Sequence, residues 1–223
     1  MFAERTLTVD SHAVKPPALI GPNAVLQMAA AMERNLGRDN TNAILAEAGI
    51  GVLPTGLEMI AEREAIRLHE VLAKRASDQA TAIAIEAGYG TADYIIANRI
   101  PAPVRLLLRL LPASLAARLL MRAIKHHAWT FVGAGHFTPD GPWRFSIDRE
   151  AAGDRTTPRL TLYRWYGAVF ARLYQGLVGT GFVCRDITSG NDSALSRQYV
   201  IAPERLPRQR RSGYLRRLNL RCL

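Results

Sequence analysis

Apolar residues recur at helical spacing through the first part of the chain. Their intervals of three and four residues, with glycine or proline where each pattern stops, predict helices over residues 23–36, 40–48, 59–76 and 106–124. An alanine-rich stretch over residues 78–97 predicts a pair of helices that meet at Gly88-Tyr89-Gly90, and Pro112 is expected to begin a second piece within 106–124. This part of the chain is therefore expected to be all helix.

The second part changes to strand-like patterns. Residues 129–132 and 143–147 are rich in β-forming side chains on either side of a turn at 139–142, which predicts an antiparallel hairpin. Residues 160–162 fit either a strand or the start of a helix, a helix is expected over 163–178, and final strands are expected over 182–184 and 198–201. Helices followed by strands, with one helix inserted, are typical of an α+β domain in which helices pack on a twisted antiparallel sheet. We expect one domain over residues 19–203, a flexible lead over residues 1–18 and a basic tail over residues 204–223.

Composition adds a core and an uneven charge. The 223 residues are 48% hydrophobic, enough for a sizeable core, and the net charge is +10. Residues 204–223 hold seven arginines and a single acid, Glu204, so this tail supplies six of the ten net charges. The rest of the chain is only mildly basic, which argues against a nucleic-acid partner. For the tail itself, a solvated end, a contact with an anionic membrane and a docking peptide all remain open.

Several classes of protein lack their expected signals. Cys184 and Cys222 are far apart, so a disulfide framework, a zinc site and an iron–sulfur cluster all lack ligands, and a reducing cytoplasm is expected. Residues 1–15 contain no apolar run of signal-peptide length. Four arginines interrupt residues 101–124, which are therefore not expected to span a membrane. The glycine run Gly176–Gly181 ends a helix pattern instead of joining a strand to a helix, as dinucleotide binding would require.

Short motifs in a fixed order resemble those of the bacteriochlorophyll 4-vinyl reductase family. They are Ile20–Ala24, Gly90–Ile95, Asn98–Pro101, Leu111-Pro112, Ala123-Ile124, His127–Gly135 and Val169–Leu173. The resemblance covers about residues 19–201. It implies a fold similar to that of certain vesicle-tethering subunits, and a role in making bacteriochlorophyll, where the family name refers to reduction of a vinyl group on divinyl chlorophyllide. Reduction of a C=C bond needs a hydride or electron donor, and the chain shows no intrinsic redox-cofactor motif.

Binding of a magnesium tetrapyrrole, unlike reduction, requires no redox cofactor. An imidazole can ligate magnesium, and His127 and His136 flank the predicted strand 129–132, although an odd separation would put them on opposite faces. Trp129 and Phe131 could line a pocket or belong to the core, and Arg99 could hold a propionate or cap the helix before it. The residues expected to contact a ligand are Tyr94, Arg99, His127, Trp129, Phe131 and His136. His69, among apolar residues on a predicted helix, is expected at the edge of the core.

Two functions remain open from the sequence. The chain either binds a magnesium-porphyrin or protochlorophyllide intermediate and presents it to other bacteriochlorophyll-pathway enzymes, or reduces the vinyl group itself with an external electron donor. Whether it is an enzyme is left undecided. We expect a cytoplasmic protein, peripheral to the photosynthetic membrane if the basic tail contacts lipid.

Overall fold

A computed structural model describes residues 18–149, 160–189 and 195–204. Helices occupy most of the first part of the chain and strands most of the second. In chain order the elements are β1 (Leu19–Ile20), α1 (Asn23–Leu36), α2 (Arg38–Glu47), β2 (Ile60–Ala61), α3 (Glu62–Arg75), α4 (Ser77–Asn98), α5 (Ala102–Leu110), α6 (Ala113–His126), α7 (Trp129–Val132), β3 (His136–Pro139), β4 (Arg144–Asp148), α8 (Leu160–Leu177), β5 (Phe182–Asp186) and β6 (Ser196–Pro203). None of the described helices is long and apolar enough to cross a membrane. The predicted α+β class is confirmed.

The main sheet has four strands in the order β3-β4-β6-β5, all antiparallel. Phe145 and Ile147 of β4 are buried, while their neighbours along the strand are half-buried or exposed, as expected for a sheet with one covered face. Helix α8 covers that face, and the rings of Phe145 and Phe170 stack with centroids 3.9 Å apart. The sheet and α8 therefore share one core.

Helix α4 packs along the other side of α8. Gly88 lies against Trp165 and Ala168, Asp93 pairs with Arg172, and Ile96 lies against Gly176, so contacts advance together and the two helices run in the same direction. A Cβ on Gly88 would stand only 2.7 Å from both the Ala168 Cβ and the Trp165 carbonyl oxygen. Glycine is thus what allows the close approach, and α4 continues through Gly88 and Gly90 without the predicted break.

The predicted strand at residues 129–132 is wrong. These residues form the single turn α7, in which the amides of Thr130 and Phe131 bond to the carbonyls of His127 and Ala128. The Thr130 hydroxyl also donates to the His127 carbonyl, a local bond that favours a turn over a strand. The hairpin around the predicted turn is instead formed by β3 and β4, and His127 follows the end of α6, so the argument from opposite strand faces does not apply.

Other patterns are confirmed with shifted ends. Pro112 separates α5 from α6, residues 160–162 begin α8, and β5 and β6 include the two expected final strands. The short pairing of β1 with β2 was not expected from the sequence. The predicted lead, except for its last residue, and the predicted tail after Glu204 lie outside the described residues.

Candidate functional site

An open cleft lies where the C-terminal ends of α4 and α8 meet α5. Its volume is about 470 Å³, within the range of small-molecule sites. The residues that line it are Asp93, Ile96, Arg109, Arg172, Gln175, Gly176, Leu177, Val178, Gly179 and Thr180. The cleft combines an apolar wall with two guanidinium groups.

Arg172 is held by Asp93 across the α4–α8 contact. Its Nε and one terminal nitrogen donate to the two carboxylate oxygens over 2.8 and 3.2 Å. The hydrogen bond to Asp93 raises the pKa of Arg172 above its ordinary value, so the guanidinium stays charged. Because both side chains are about half exposed, the pair can exchange partners with an incoming carboxylate at modest cost.

Arg109 reaches the cleft from α5. Its Nε donates to the Gly176 carbonyl oxygen over 2.9 Å, in the last turn of α8. A helix C-terminus carries partial negative charge, so the contact suits a cation. One nitrogen satisfies this carbonyl, which leaves the remaining donors of the guanidinium fork for a ligand.

Glycines shape this end of α8. A Cβ on Gly176 would meet the Ile96 Cδ1 at 2.7 Å, so glycine lets α4 and α8 meet closely beneath the cleft. Gly179 follows the helix end, and its amide bonds to the Tyr174 carbonyl. The run Gly176–Gly181 thus terminates a helix, as the sequence pattern predicted.

Two of the predicted ligand contacts lie at the C-terminal end of α4: Tyr94 is in the helix, and Arg99 follows its last residue. The Arg99 guanidinium stands 5.9 Å from the centroid of the Tyr94 ring, a cation–π contact. Arg99 is also the residue that ends α4, and its amide donates to the Ile95 carbonyl. Its side chain is exposed, so a cap and a ligand contact remain compatible.

Phe131, another predicted contact, belongs mainly to the core. Its ring lies within 5.6 to 6.2 Å of the rings of Phe137, Tyr166 and Phe170. The Tyr166 hydroxyl donates to the Phe131 carbonyl over 2.9 Å. These contacts fix α7 against α8 and the sheet.

His127, Trp129 and His136 are exposed and lie near the junction of α6, α7 and β3, at the end of α6, on α7 and at the start of β3. Trp129 is 62% exposed, and the rings of His126 and His127 meet edge to face with centroids 5.0 Å apart. His136 begins β3 opposite Asp148. Among the described residues, no hydrogen bond, ion pair or ring contact joins these three residues to Tyr94 or Arg99.

A buried ion pair beneath this junction could not be anticipated from the sequence. Arg149 donates to Glu62 over 2.5 Å, with side chains 3% and 9% exposed. The second carboxylate oxygen accepts the Ala134 amide over 3.1 Å, and a Cβ on Gly133 would overlap that carboxylate. The pair therefore anchors the loop Gly133-Ala134-Gly135, which the sequence analysis noticed only as part of a motif.

His69 is wholly buried on α3 and lines no part of the cleft. Burial lowers its pKa to about 3, so the imidazole is neutral at physiological pH. Neither ring nitrogen has a hydrogen-bond partner, and the same holds for Nε1 of Trp165 on the neighbouring α8. The expectation of a position at the core edge is wrong, because the ring lies fully inside.

The described part of the chain contains no cluster of three or more histidine, cysteine, aspartate or glutamate side chains placed to hold a metal ion. Cys184 is half-buried on β5, and burial raises the pKa of its thiol well above the ordinary value. Such a thiol is a poor nucleophile and metal ligand. Cys184 therefore behaves as a small apolar side chain.

Comparison with solved structures identifies the fold. The Fe(II) unliganded H-NOX protein of K. algicida, in a mutant form, superposes with a TM-score of 0.57 at 10% identity over 82% of this chain and 96% of that one. A second H-NOX structure, from work on heme distortion, gives a TM-score of 0.53 at 11% identity over 83% of this chain and 95% of that one. These structures do not support the expected likeness to vesicle-tethering subunits, and the shared arrangement is that of H-NOX domains.

No family model matches the chain. Two relatives match over most of their length. The bacteriochlorophyll synthase 23 kDa chain of Rhodobacter capsulatus is 35% identical over 187 residues, covering 83% of this chain and 87% of the relative. The protein of the same name from Cereibacter sphaeroides is 35% identical over 200 residues, covering 87% and 97%. Neither name refers to vinyl reduction. On this identity and coverage, the chain belongs to the family of the bacteriochlorophyll synthase 23 kDa chain.

Proposed function

We propose that this protein acts in bacteriochlorophyll biosynthesis by binding a magnesium-tetrapyrrole intermediate and presenting it to other enzymes of the pathway. The observation that carries the proposal is the 35% identity, over most of both chains, to proteins named as a chain of bacteriochlorophyll synthase. A fold shared with H-NOX domains adds support, since one of those structures concerns heme distortion and heme is also a tetrapyrrole. Partners among the pathway enzymes are part of the proposal, because the relatives' name describes one chain of a synthase.

The cleft between α4, α5 and α8 is the proposed binding site. A chlorophyllide-type pigment has a flat apolar ring system and a carboxylate at one edge. Ile96 and Leu177 offer apolar contact, while Arg109 and Arg172 offer charged donors for the carboxylate. Tyr94 and Arg99, which contact each other at the end of α4, are included in the proposed contact surface.

The exposed patch of His127, Trp129 and His136 is the second part of the proposal, with Phe131 as its support. Its imidazoles are exposed to solvent and its indole is mostly uncovered, so it can ligate magnesium or stack on a ring presented outside the cleft. A neutral imidazole is the ligand form required. His69 is excluded from this role in the proposal because its ring is sealed within the helices.

A vinyl reductase that takes electrons from an external donor is the alternative. The resemblance of the motifs to the 4-vinyl reductase family favours it. The cleft contains guanidinium, carboxylate and amide groups that can orient a substrate, and the donor would have to be a separate molecule.

A titration of the purified full chain with divinyl protochlorophyllide, followed by the visible absorption of the pigment, tests the binding proposal. Saturable binding with a spectral shift is expected. The same mixture with NADPH or reduced ferredoxin separates the two functions. No monovinyl product is expected, whereas turnover without any other pathway enzyme would contradict a carrier and establish the reductase.

Substitutions of matched ion pairs test the cleft. Arg172→Gln is expected to weaken pigment binding by about tenfold, the cost of one charge-assisted hydrogen-bonded contact. Arg34→Gln is the control, because Arg34 pairs with Glu86 across α1 and α4 as Arg172 pairs with Asp93 across α8 and α4, at similar exposure but away from the cleft. A methyl ester of the pigment should bind weakly and respond equally to both substitutions. Equal effects of the two substitutions on the free acid would contradict the cleft.

The exposed patch is tested in the same titration. His127→Ala should weaken binding of the magnesium pigment and leave binding of the metal-free pigment unchanged, since only the former accepts an imidazole ligand. The core variant His69→Leu should retain both. If His69→Leu loses the magnesium pigment and His127→Ala keeps it, the patch is the wrong site.

A further inference from the structure

Helices α5 and α6 carry apolar side chains on the side that faces solvent. Leu110, Leu106 and Leu107 are 74%, 59% and 52% exposed, although leucine is normally among the most buried residue types. Leu108 alone is buried in α5. We call the exposed set the leucine face, and its members are Val104, Leu106, Leu107, Leu110, Leu115 and Leu119.

In an ordinary surface helix the apolar side chains face the protein and the charged ones face solvent, whereas in α5 two arginines reach towards the protein and most leucines face solvent. Arg105 turns towards the body of the protein and donates to the Ile96 carbonyl over 3.1 Å. Arg109 does the same towards the Gly176 carbonyl over 2.9 Å. Both arginines satisfy carbonyl groups in last turns of helices, and this fixes the helix with its leucines outward. The exposure of the leucines is thus specified by bonds and does not result from loose packing.

Helix α6 also carries exposed leucines. Its opposite side is buried through Ala116, Ala117, Leu120, Met121 and Ile124. Leu115 and Leu119 are separated by one helical turn and lie outward, 42% and 43% exposed. Arg118 and Arg122 are exposed on the same helix. The apolar stripe therefore has a basic margin.

The chain segment that contains α5 and α6 carries basic but no acidic side chains, since no acidic residue occurs between Asp93 and Asp140. Of its cations, Arg105 and Arg109 bond to carbonyls of α4 and α8, whereas Arg118, Arg122 and Lys125 are exposed on α6. A surface of outward leucines with a basic margin complements a bilayer that has anionic headgroups above an apolar interior.

We infer that the leucine face docks this protein onto an anionic lipid bilayer, with α5 and α6 lying in the plane of the interface. The helices have 9 and 14 residues, too short to span a bilayer, which takes about 20. Leucines enter the acyl-chain boundary, and the exposed cations of α6, Arg118, Arg122 and Lys125, meet lipid phosphates. This contact is made by the folded domain, independently of the arginines in the tail that the sequence analysis considered.

Flotation of the full chain with lipid vesicles tests the inference without any pigment, so its outcome is independent of the proposed function. Binding is expected to vesicles of equal parts phosphatidylcholine and phosphatidylglycerol and to be much weaker on pure phosphatidylcholine. The double variant Leu106→Ser/Leu110→Ser should bind the anionic vesicles about tenfold more weakly or worse, because two leucines lose apolar contact.

Val52→Ser/Leu57→Ser is the matched control. These residues are 88% and 91% exposed in the segment before β2, so the variant removes even more exposed apolar groups from another part of the chain and should bind as the wild type does. Circular dichroism of each variant checks that it is folded. Equal binding by both double variants would overturn the inference.

Two further measurements separate other sources of binding. A full chain in which the seven arginines of residues 204–223 are changed to glutamine should keep most of its vesicle binding, and complete loss would assign the membrane contact to the tail instead. Sedimentation velocity should show no self-association that depends on the leucine face. A dimer that Leu106→Ser/Leu110→Ser dissociates would assign the face to a second copy of the chain and overturn the inference.

Discussion

Gly133, in the loop of the motif His127–Gly135, lies against the buried carboxylate of Glu62. Its φ of +57° lies in the left-handed region, and a Cβ there would overlap the Glu62 carboxylate. The same carboxylate holds Arg149 and the Ala134 amide. A side chain at position 133 would therefore disturb a buried ion pair as well as the backbone, and breaking such pairs is strongly destabilising.

Gly133→Ala is expected to lower the free energy of unfolding by about 3 kcal/mol or more, combining backbone strain with loss of the buried contact. Gly141→Ala is the control, since Gly141 has a φ of +77° and no heavy atom within 4 Å of an added Cβ. It should lose only the strain, about 1–2 kcal/mol. Urea denaturation of both variants measures the difference, and equal losses would show that Glu62 can move aside.

At the scale of elements, the contact between α4 and α8 positions the cleft. Asp93 and Ile96 come from one helix and Arg172 and Gly176 from the other, so the spacing of the two helices sets the distance between the side chains that each contributes to the cleft. Gly88 lies at a close approach of the two helices, before these residues along α4. A larger residue at position 88 is therefore expected to alter the spacing of α4 and α8 at the cleft.

Gly88→Ala and Gly90→Ala form a matched pair on α4. At Gly88 the added Cβ meets the Trp165 carbonyl at 2.7 Å, and a backbone atom cannot move without shifting α8, so a loss of about 1–3 kcal/mol is expected. At Gly90 the nearest atom is the Gln27 Oε1 at 2.6 Å, at the end of a flexible side chain. Gly90→Ala should therefore be neutral or stabilising by up to about 1 kcal/mol through helix propensity. Thermal unfolding followed by circular dichroism compares them, and a stabilised Gly88→Ala would contradict the close packing.

At the scale of the whole molecule, acid should destabilise the domain through His69. The folded protein holds this ring neutral with a pKa of about 3, whereas the unfolded chain has the ordinary value of 6.5. Between these values the unfolded state binds one more proton, so the stability present above pH 6.5 is lost as the pH falls towards 3. The net charge of +10 also grows on acidification and adds repulsion.

The variant His69→Leu isolates the first effect from the second. The wild-type free energy of unfolding should fall about 1.4 kcal/mol more steeply per pH unit than that of His69→Leu in the lower part of this interval. Urea denaturation at several pH values measures both slopes. Parallel slopes for wild type and His69→Leu would mean that the buried ring is protonated in the folded state.

The sequence could predict much of the fold because local patterns carry it. Helical spacing, Pro112 and the terminal glycines located α1, α5, α6 and α8, and alternation located β4, β5 and β6. Local patterns failed where the deciding contact was distant. Glycine has a low helix propensity, so Gly88 and Gly90 predicted a break. Helix α4 is continuous instead, and glycine is required at position 88 because a larger residue would not fit against α8. The β-forming residues 129–132 became a helical turn that α8 and the sheet hold in place.

The sequence by itself determined the α+β class, the relationship to bacteriochlorophyll proteins and the basic character of residues 94–139. Only the tertiary structure decided where the candidate chemistry lies. It placed the predicted ligand contacts at the end of α4 and near the junction of α6, α7 and β3, buried His69 and brought Arg109 and Arg172 to one cleft from distant parts of the chain. It also decided that the leucines of α5 face solvent, because the direction of a helix face depends on which distant carbonyls its arginines reach. The spacing of apolar residues reports the local secondary structure. It does not report which distant segments come into contact, and those contacts decide which residues are close together and which are buried.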